Sequence, residues 1–144
     1  MHRFRMPITA IAFALSLPAF GADIPVKLYR NPNCGCCNVY AEHLKSNGFK
    51  VDLIDTHDAA ALHRKYAVPE RLEGCHTAVI GGYVFEGLIP AQYIKRVLDE
   101  HPPIKGLSVP GMPVGAPGMP GAKDRLIEVY YLGASASPKV FATF

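Results

Sequence analysis

The stretch Val26-Lys27-Leu28-Tyr29-Arg30-Asn31-Pro32-Asn33-Cys34-Gly35-Cys36-Cys37 decides how the rest of the chain is read. Its first five residues alternate apolar and polar, the period of a half-buried strand. Asn31-Pro32-Asn33 then breaks the run, because proline cannot extend a ladder and asparagine favours turns. From Cys37 to Ser46 the residues suit a helix, with Val39, Tyr40, His43 and Leu44 on one face and Asn47-Gly48 as a left-handed stop. Strand, loop and helix follow one another, with three cysteines at the helix's N-terminal end.

Downstream, Val51-Asp52-Leu53-Ile54-Asp55 is short and rich in branched residues, which predicts a second strand. A second helix is expected from about Asp58 to Tyr66, stopping before Pro69. Thr77-Ala78-Val79-Ile80 and Tyr83-Val84-Phe85 flank Gly81-Gly82, a hairpin signal, and Pro90 opens a helix from Ala91 to Glu100. The order β-α-β-α-β-β-α, with the cysteines between the first strand and first helix, is the thioredoxin-like α/β arrangement. Pro102 to Gly121 reads as a Pro/Gly/Met-rich loop without periodicity, a length usually functional or disordered. Leu126 to Tyr131 and Val140 to Phe144 then read as a C-terminal β-hairpin.

Toward the N-terminus, Met1 to Arg5 carries two arginines and no acid, and Ile8 to Phe20 is apolar apart from Thr9 and Ser16. That run is shorter than the ~20 residues a membrane span needs, and small residues follow it, so residues 1–21 read as a signal peptide cleaved after Gly21. The alternative is an uncleaved anchor. Residues 22–144 are one domain's length, and export places them in the periplasm with no later segment apolar enough to insert in a membrane. Losing Arg3 and Arg5 lowers the formal charge from +3 to about +1, with no basic cluster left to support nucleic-acid binding.

All four cysteines lie in the mature part, three of them in Cys34-Gly35-Cys36-Cys37. Neighbouring cysteines close loops too short to staple a fold, so the cluster reads as chemistry. Thiols in the first turn of a helix face unpaired N–H groups and the positive end of the helix dipole, which favours thiolate, both nucleophile and metal ligand. Cys34 and Cys37 alone form a C-x-x-C pair, the pattern of a thiol-disulfide oxidoreductase. Against that reading, Cys36 adds a competing thiol, and Asn33 stands where such enzymes usually carry an aromatic residue.

Gly74-Cys75-His76-Thr77 precedes the third strand, where thioredoxin-like chains carry a cis-proline beside the active pair. His76 stands in its place here, and Cys75 is expected to face the other cysteines unless it is merely a small core residue. Four converging thiolates suit a soft or borderline cation. One zinc ion would need a tetrahedron that the Cys36-Cys37 adjacency makes awkward, whereas adjacent thiolates can bridge several Cu(I) ions. Pro110-Gly111-Met112-Pro113 and Pro117-Gly118-Met119-Pro120 add two thioethers, either Cu(I) ligands or gap-fillers in a linker. Among the histidines, His76 is the ligand candidate. His43 reads as a half-buried core residue, His57 and His63 do not share a helix face, and His101 follows a helix end. Asp52, Asp55 and Asp58 read as a strand edge and a helix start, oxygen donors unsuited to a sulfur site.

Asn31-Pro32-Asn33-Cys34-Gly35-Cys36-Cys37, Gly74-Cys75-His76-Thr77 and the doubled Gly-Met-Pro loop together resemble the CopG family, small exported proteins found with copper-resistance genes. The resemblance covers nearly the whole mature chain. It implies a thioredoxin-like fold in which Cys34, Cys36, Cys37 and Cys75 hold a multinuclear copper centre, with a role in copper resistance and Cu(I)/Cu(II) interconversion. Copper ions are the implied partners, together with other periplasmic copper-handling proteins. The residues leave open a disulfide oxidoreductase and, more weakly, a zinc module.

Overall fold

A computed structural model of the chain describes residues 21–144 apart from Ala134 and Ala136; the signal-peptide reading lies outside them except for Gly21. Strand β1 (Ile24–Arg30) leads to α1 (Gly35–Lys45), β2 (Phe49–Asp55) and α2 (Ala59–Tyr66). A 3-10 turn at Glu70–Leu72 precedes β3 (His76–Ile80), β4 (Tyr83–Gly87) and α3 (Ala91–Glu100). The chain continues into β5 (Gly106–Val109), β6 (Glu128–Tyr131) and β7 (Val140–Thr143). All seven strands join one mixed sheet in the order β2-β1-β3-β4-β5-β6-β7. β1 pairs parallel with β2, which requires α1 as the crossover between them, and antiparallel with β3. The fold class read from the sequence is therefore the observed one.

Local chemistry accounts for the element ends. Asp58 accepts the Ala61 N–H at 2.8 Å and so caps α2, while Gly81 and Gly82, both at positive φ, turn β3 into β4. Val26 and Leu28 of β1, Tyr40, Ala41 and Leu44 of α1, and Phe85, Leu88, Ile89, Ile94 and Leu107 form one buried core. Each large side chain removed from water there contributes about 1.5–3 kcal/mol. Tyr40 is fully buried, and its hydroxyl donates to the Ile89 carbonyl at 2.8 Å, tying α1 to the segment before α3.

Three sequence expectations are corrected. Helix α1 starts at Gly35 rather than Cys37, so Cys36 and Cys37 both lie in its first turn. Val39 is 56 % exposed and does not join Tyr40 and Leu44 on the buried face. The segment from Pro102 to Gly121 is not wholly a loop: it contains β5, whose four residues are all buried and pair parallel with β4. Burial on both faces removes the alternation that signals a strand. The C-terminal hairpin is present as β6 and β7, with Tyr93 of α3 packed on Phe141 and Phe144.

Candidate metal centre

The loop between β1 and α1 is held by its own side chains. The Asn31 side-chain oxygen accepts the Asn33 N–H at 2.9 Å, the Asn31 carbonyl accepts the Cys34 N–H at 3.0 Å, and Arg30 donates to Asn38 at 2.8 Å. Cys34 is thereby the N-cap of α1, with Cys36 and Cys37 on its first turn. From the opposite side, the turn entering β3 brings Cys75 to the same place.

The sulfurs of Cys34, Cys36, Cys37 and Cys75 all lie within 4.8 Å of one another, a constellation built from two loops as the sequence predicted. Cys36 is its hub, 3.3 Å from the Cys34 sulfur, 3.6 Å from the Cys75 sulfur and 3.9 Å from the Met112 thioether. Two sulfurs bound at about 2.3 Å to one ion stand roughly 3.8 Å apart, so the 3.6 Å between Cys36 and Cys75 would let the two share a metal ion. Cys34 and Cys37 are joined in a disulfide, and Cys36 and Cys75 are free. The arrangement thus has two chemical states. With the disulfide closed, the free soft donors are two thiols and a thioether; with it reduced, four thiols converge.

Burial decides the protonation of Cys75. Desolvation, aided by the neighbouring Cys36, pushes its thiol up to about 12, so without a metal it holds its proton. Its sulfur lies 3.2 Å from His76 Nδ1, and a thiol there donates to Nδ1, which leaves the ring proton on Nε2. His76 is 3 % exposed, its ring is 4.4 Å from that of Tyr40, and Nε2 has no hydrogen-bond partner among the described residues. Burial lowers its pKa to about 4. No cis peptide occurs among the described residues, so histidine does not reproduce the cis-proline geometry at this turn.

The two methionines are not equivalent. Met112 is 54 % exposed and reaches Cys36, whereas Met119 is partly buried against the hydrophobic core. The loop does sit on the site: a Cβ at Gly118, whose φ is +99°, would stand 2.8 Å from the Cys36 carbonyl and 3.2 Å from Tyr40. Glycine is required there by both conformation and contact. Among the described residues the remaining histidines stay outside the sulfur cluster. His43 accepts the Ala91 N–H at 3.2 Å at the start of α3, a core role, and burial lowers its pKa. His101 is the left-handed C-cap of α3. Asp55 pairs with Arg30 at 3.1 Å, and Asp58 caps α2, as read.

Sequence reasoning missed Glu86 and the role of His63. Glu86 is fully buried on β4, bonded to Gly74, Thr77 and His63, and His63 also meets Glu73 at 3.0 Å. The available signal was one carboxylate inside the apolar run Tyr83 to Ile89. A partly open pocket of about 60 Å³, lined by residues including His63, Cys75 and His76, lies on this side of the site.

The chain is thus a thioredoxin-like domain carrying, where its first helix begins, a cluster of four cysteine sulfurs able to hold a metal ion, with a thioether beside it. Residues 72–119 match a family described as a protein of unknown function, DUF411. Two solved structures, "Copper resistance protein copG" in Form 1 and Form 2, each superpose with a TM-score of 0.75 at 39 % identity, covering 85 % of this chain and 98 % of theirs. The chain belongs to the CopG family of copper resistance proteins. No curated protein sequence matches it significantly.

Proposed function

We propose that the chain is an exported copper-binding protein of copper resistance. In this reading residues 1–21 are removed on export, and residues 22–144 form a single periplasmic domain. Reduced Cys34, Cys36, Cys37 and Cys75 hold Cu(I) in a multinuclear thiolate cluster that interconverts Cu(I) and Cu(II), each ion exchanging one electron with an external periplasmic redox partner. The observation that carries the reading is the convergence of four sulfurs from two loops within 4.8 Å. Soft thiolates select Cu(I), and adjacent thiolates bridge ions more readily than they chelate one. His76 Nδ1 and the Met112 thioether extend the donor set beside Cys75 and Cys36. Among the described residues no helix is long and apolar enough to cross a membrane.

The test is titration of the reduced chain with Cu(I) against a competing chelator under anaerobic conditions. More than one tightly held ion is expected, and Cys75→Ser should lose most of the copper with the fold retained. Saturation at one ion, or tighter retention of zinc than copper, refutes the multinuclear copper reading.

A second reading, thiol-disulfide exchange on exported proteins, is favoured by the Cys34–Cys37 disulfide. Cys36 argues against it, because its sulfur lies 3.3 Å from Cys34 and competes for the same bond. Slow reduction of insulin by the metal-free dithiol supports the copper reading. Fast reduction that copper blocks puts exchange first.

A further inference from the structure

A fully buried carboxylate costs several kcal/mol of desolvation unless the interior satisfies it, and an apolar side chain of similar volume would often serve stability as well. Glu86 is such a group, with no exposed surface. Its Oε1 accepts the Gly74 N–H at 2.9 Å and faces His63 Nε2 at 3.1 Å; its Oε2 accepts the Thr77 hydroxyl at 2.6 Å. His63 is held in turn by Glu73, whose Oε1 lies 3.0 Å from Nδ1. The ring therefore spans two carboxylates and fixes the one on β4.

The position of these bonds gives them a consequence beyond stability. Gly74 and Thr77 immediately flank Cys75 and His76, so a single carboxylate grips both shoulders of the turn that carries the Cys75 sulfur. The same turn carries the methionine loop, because the Gly111 N–H donates to the Glu73 carbonyl at 2.9 Å and Gly111 bridges Gly74 one residue before Met112. Cys75 itself forms no hydrogen bond with Glu86. We infer that Glu86, locked by His63, is a positioning residue whose carboxylate fixes where the Cys75 sulfur stands opposite Cys36. The benefit of that placement for metal uptake rests on the copper reading; the placement itself does not.

A metal-free measurement separates the two. In the full mature chain carrying Cys34→Ser and Cys37→Ser, Cys36 and Cys75 are the remaining thiols, and their sulfurs are 3.6 Å apart. Equilibration with glutathione gives the effective concentration of one thiol at the other. Glu86→Ala should lower it about tenfold or more, because the freed turn lets the sulfur wander. Glu86→Gln keeps the shape, an oxygen for Gly74 and an amide to which the Thr77 hydroxyl can turn as acceptor, so it should recover to within about threefold. Val97→Ala, a core truncation on α3, should lower stability and leave the thiol equilibrium unchanged. Should Glu86→Ala fail to fold, Thr77→Val removes one of the two shoulder bonds and should lower the value about threefold. Folded Glu86→Ala or Thr77→Val with an unchanged equilibrium, or an equal loss in Val97→Ala, overturns the inference. Failure of the parent chain to take up copper would overturn the copper reading alone.

Discussion

Acidification should destabilise the metal-free protein through His76 in a defined window. The unfolded imidazole takes a proton near 6.5, whereas the buried ring of the folded protein resists one until about 4. Between those values the unfolded chain binds more protons, so stability is complete above pH 6.5 and drains away as pH falls toward 4. At about 1.4 kcal/mol per pH unit, that interval costs about 3 kcal/mol by pH 4, a large part of a typical domain's stability. With the ring 3 % exposed, solvent screens little of it. The assay is urea denaturation of the parent and His76→Gln at several pH values from 7.5 to 4.5, both metal-free and in the same disulfide state. His43, whose pKa burial also lowers, and the carboxylates titrate in both proteins, so the difference between the curves isolates His76. The parent should lose stability faster than the variant below pH 6.5. Parallel losses over the whole range would refute the assignment of a buried, neutral His76.

Two further outcomes concern the methionine loop. Gly118→Ala forces a side chain into a φ of +99° and against the Cys36 carbonyl; it should cost about 2 kcal/mol, lower the melting temperature by roughly 5–10 °C and speed air oxidation of bound Cu(I). An unchanged melting temperature would mean that the loop is not docked on α1. Met112→Leu with Met119→Leu conserves volume, so stability should change by less than about 1.5 kcal/mol while Cu(I) binds more weakly or oxidises faster. Unchanged affinity and air stability would remove both thioethers from the ligand set.

The parts of the fold that were legible in the sequence are those with a local signal. β1 alternates, Asn47-Gly48 stops α1, Gly81-Gly82 makes the hairpin, and Pro90 precedes α3. The four cysteines were legible as a group because the β3 junction has a fixed place in the thioredoxin order. β5 was not legible: its four residues lie between Pro102-Pro103 and Pro110-Gly111, and its partners, β4 and β6, are both distant in the sequence. Glu86 was hidden for a related reason. Its partners lie 9, 12 and 23 residues away; the pairing of Thr77 with Glu86 across β3 and β4 supplies the first, and His63 arrives from α2. The Cys34–Cys37 disulfide joins the two cysteines whose C-x-x-C spacing set them apart in the sequence, and Cys36 stays free beside it.

The two Pro-Gly-Met-Pro units are identical in sequence, yet the fold anchors them differently, and the difference predicts different roles. The first follows β5 directly: Val109 pairs with Gly87 at the end of β4, and Gly111 docks on Glu73 and Gly74. Met112 is therefore registered against the same turn that carries Cys75, and its thioether arrives 3.9 Å from the Cys36 sulfur while 54 % exposed. The second unit has no strand behind it; the Met119 N–H bonds locally to the Ala116 carbonyl, and close approach of Gly118 to Cys36 and Tyr40 holds it down. Its side chain packs against the core rather than reaching a cysteine sulfur. The single substitutions should separate accordingly. Met112→Leu alone should weaken Cu(I) retention nearly as much as the double change, and Met119→Leu alone should alter packing and leave retention intact. Equal effects from the two would mean that the loop rearranges on metal binding and that strand register does not decide which thioether serves the site.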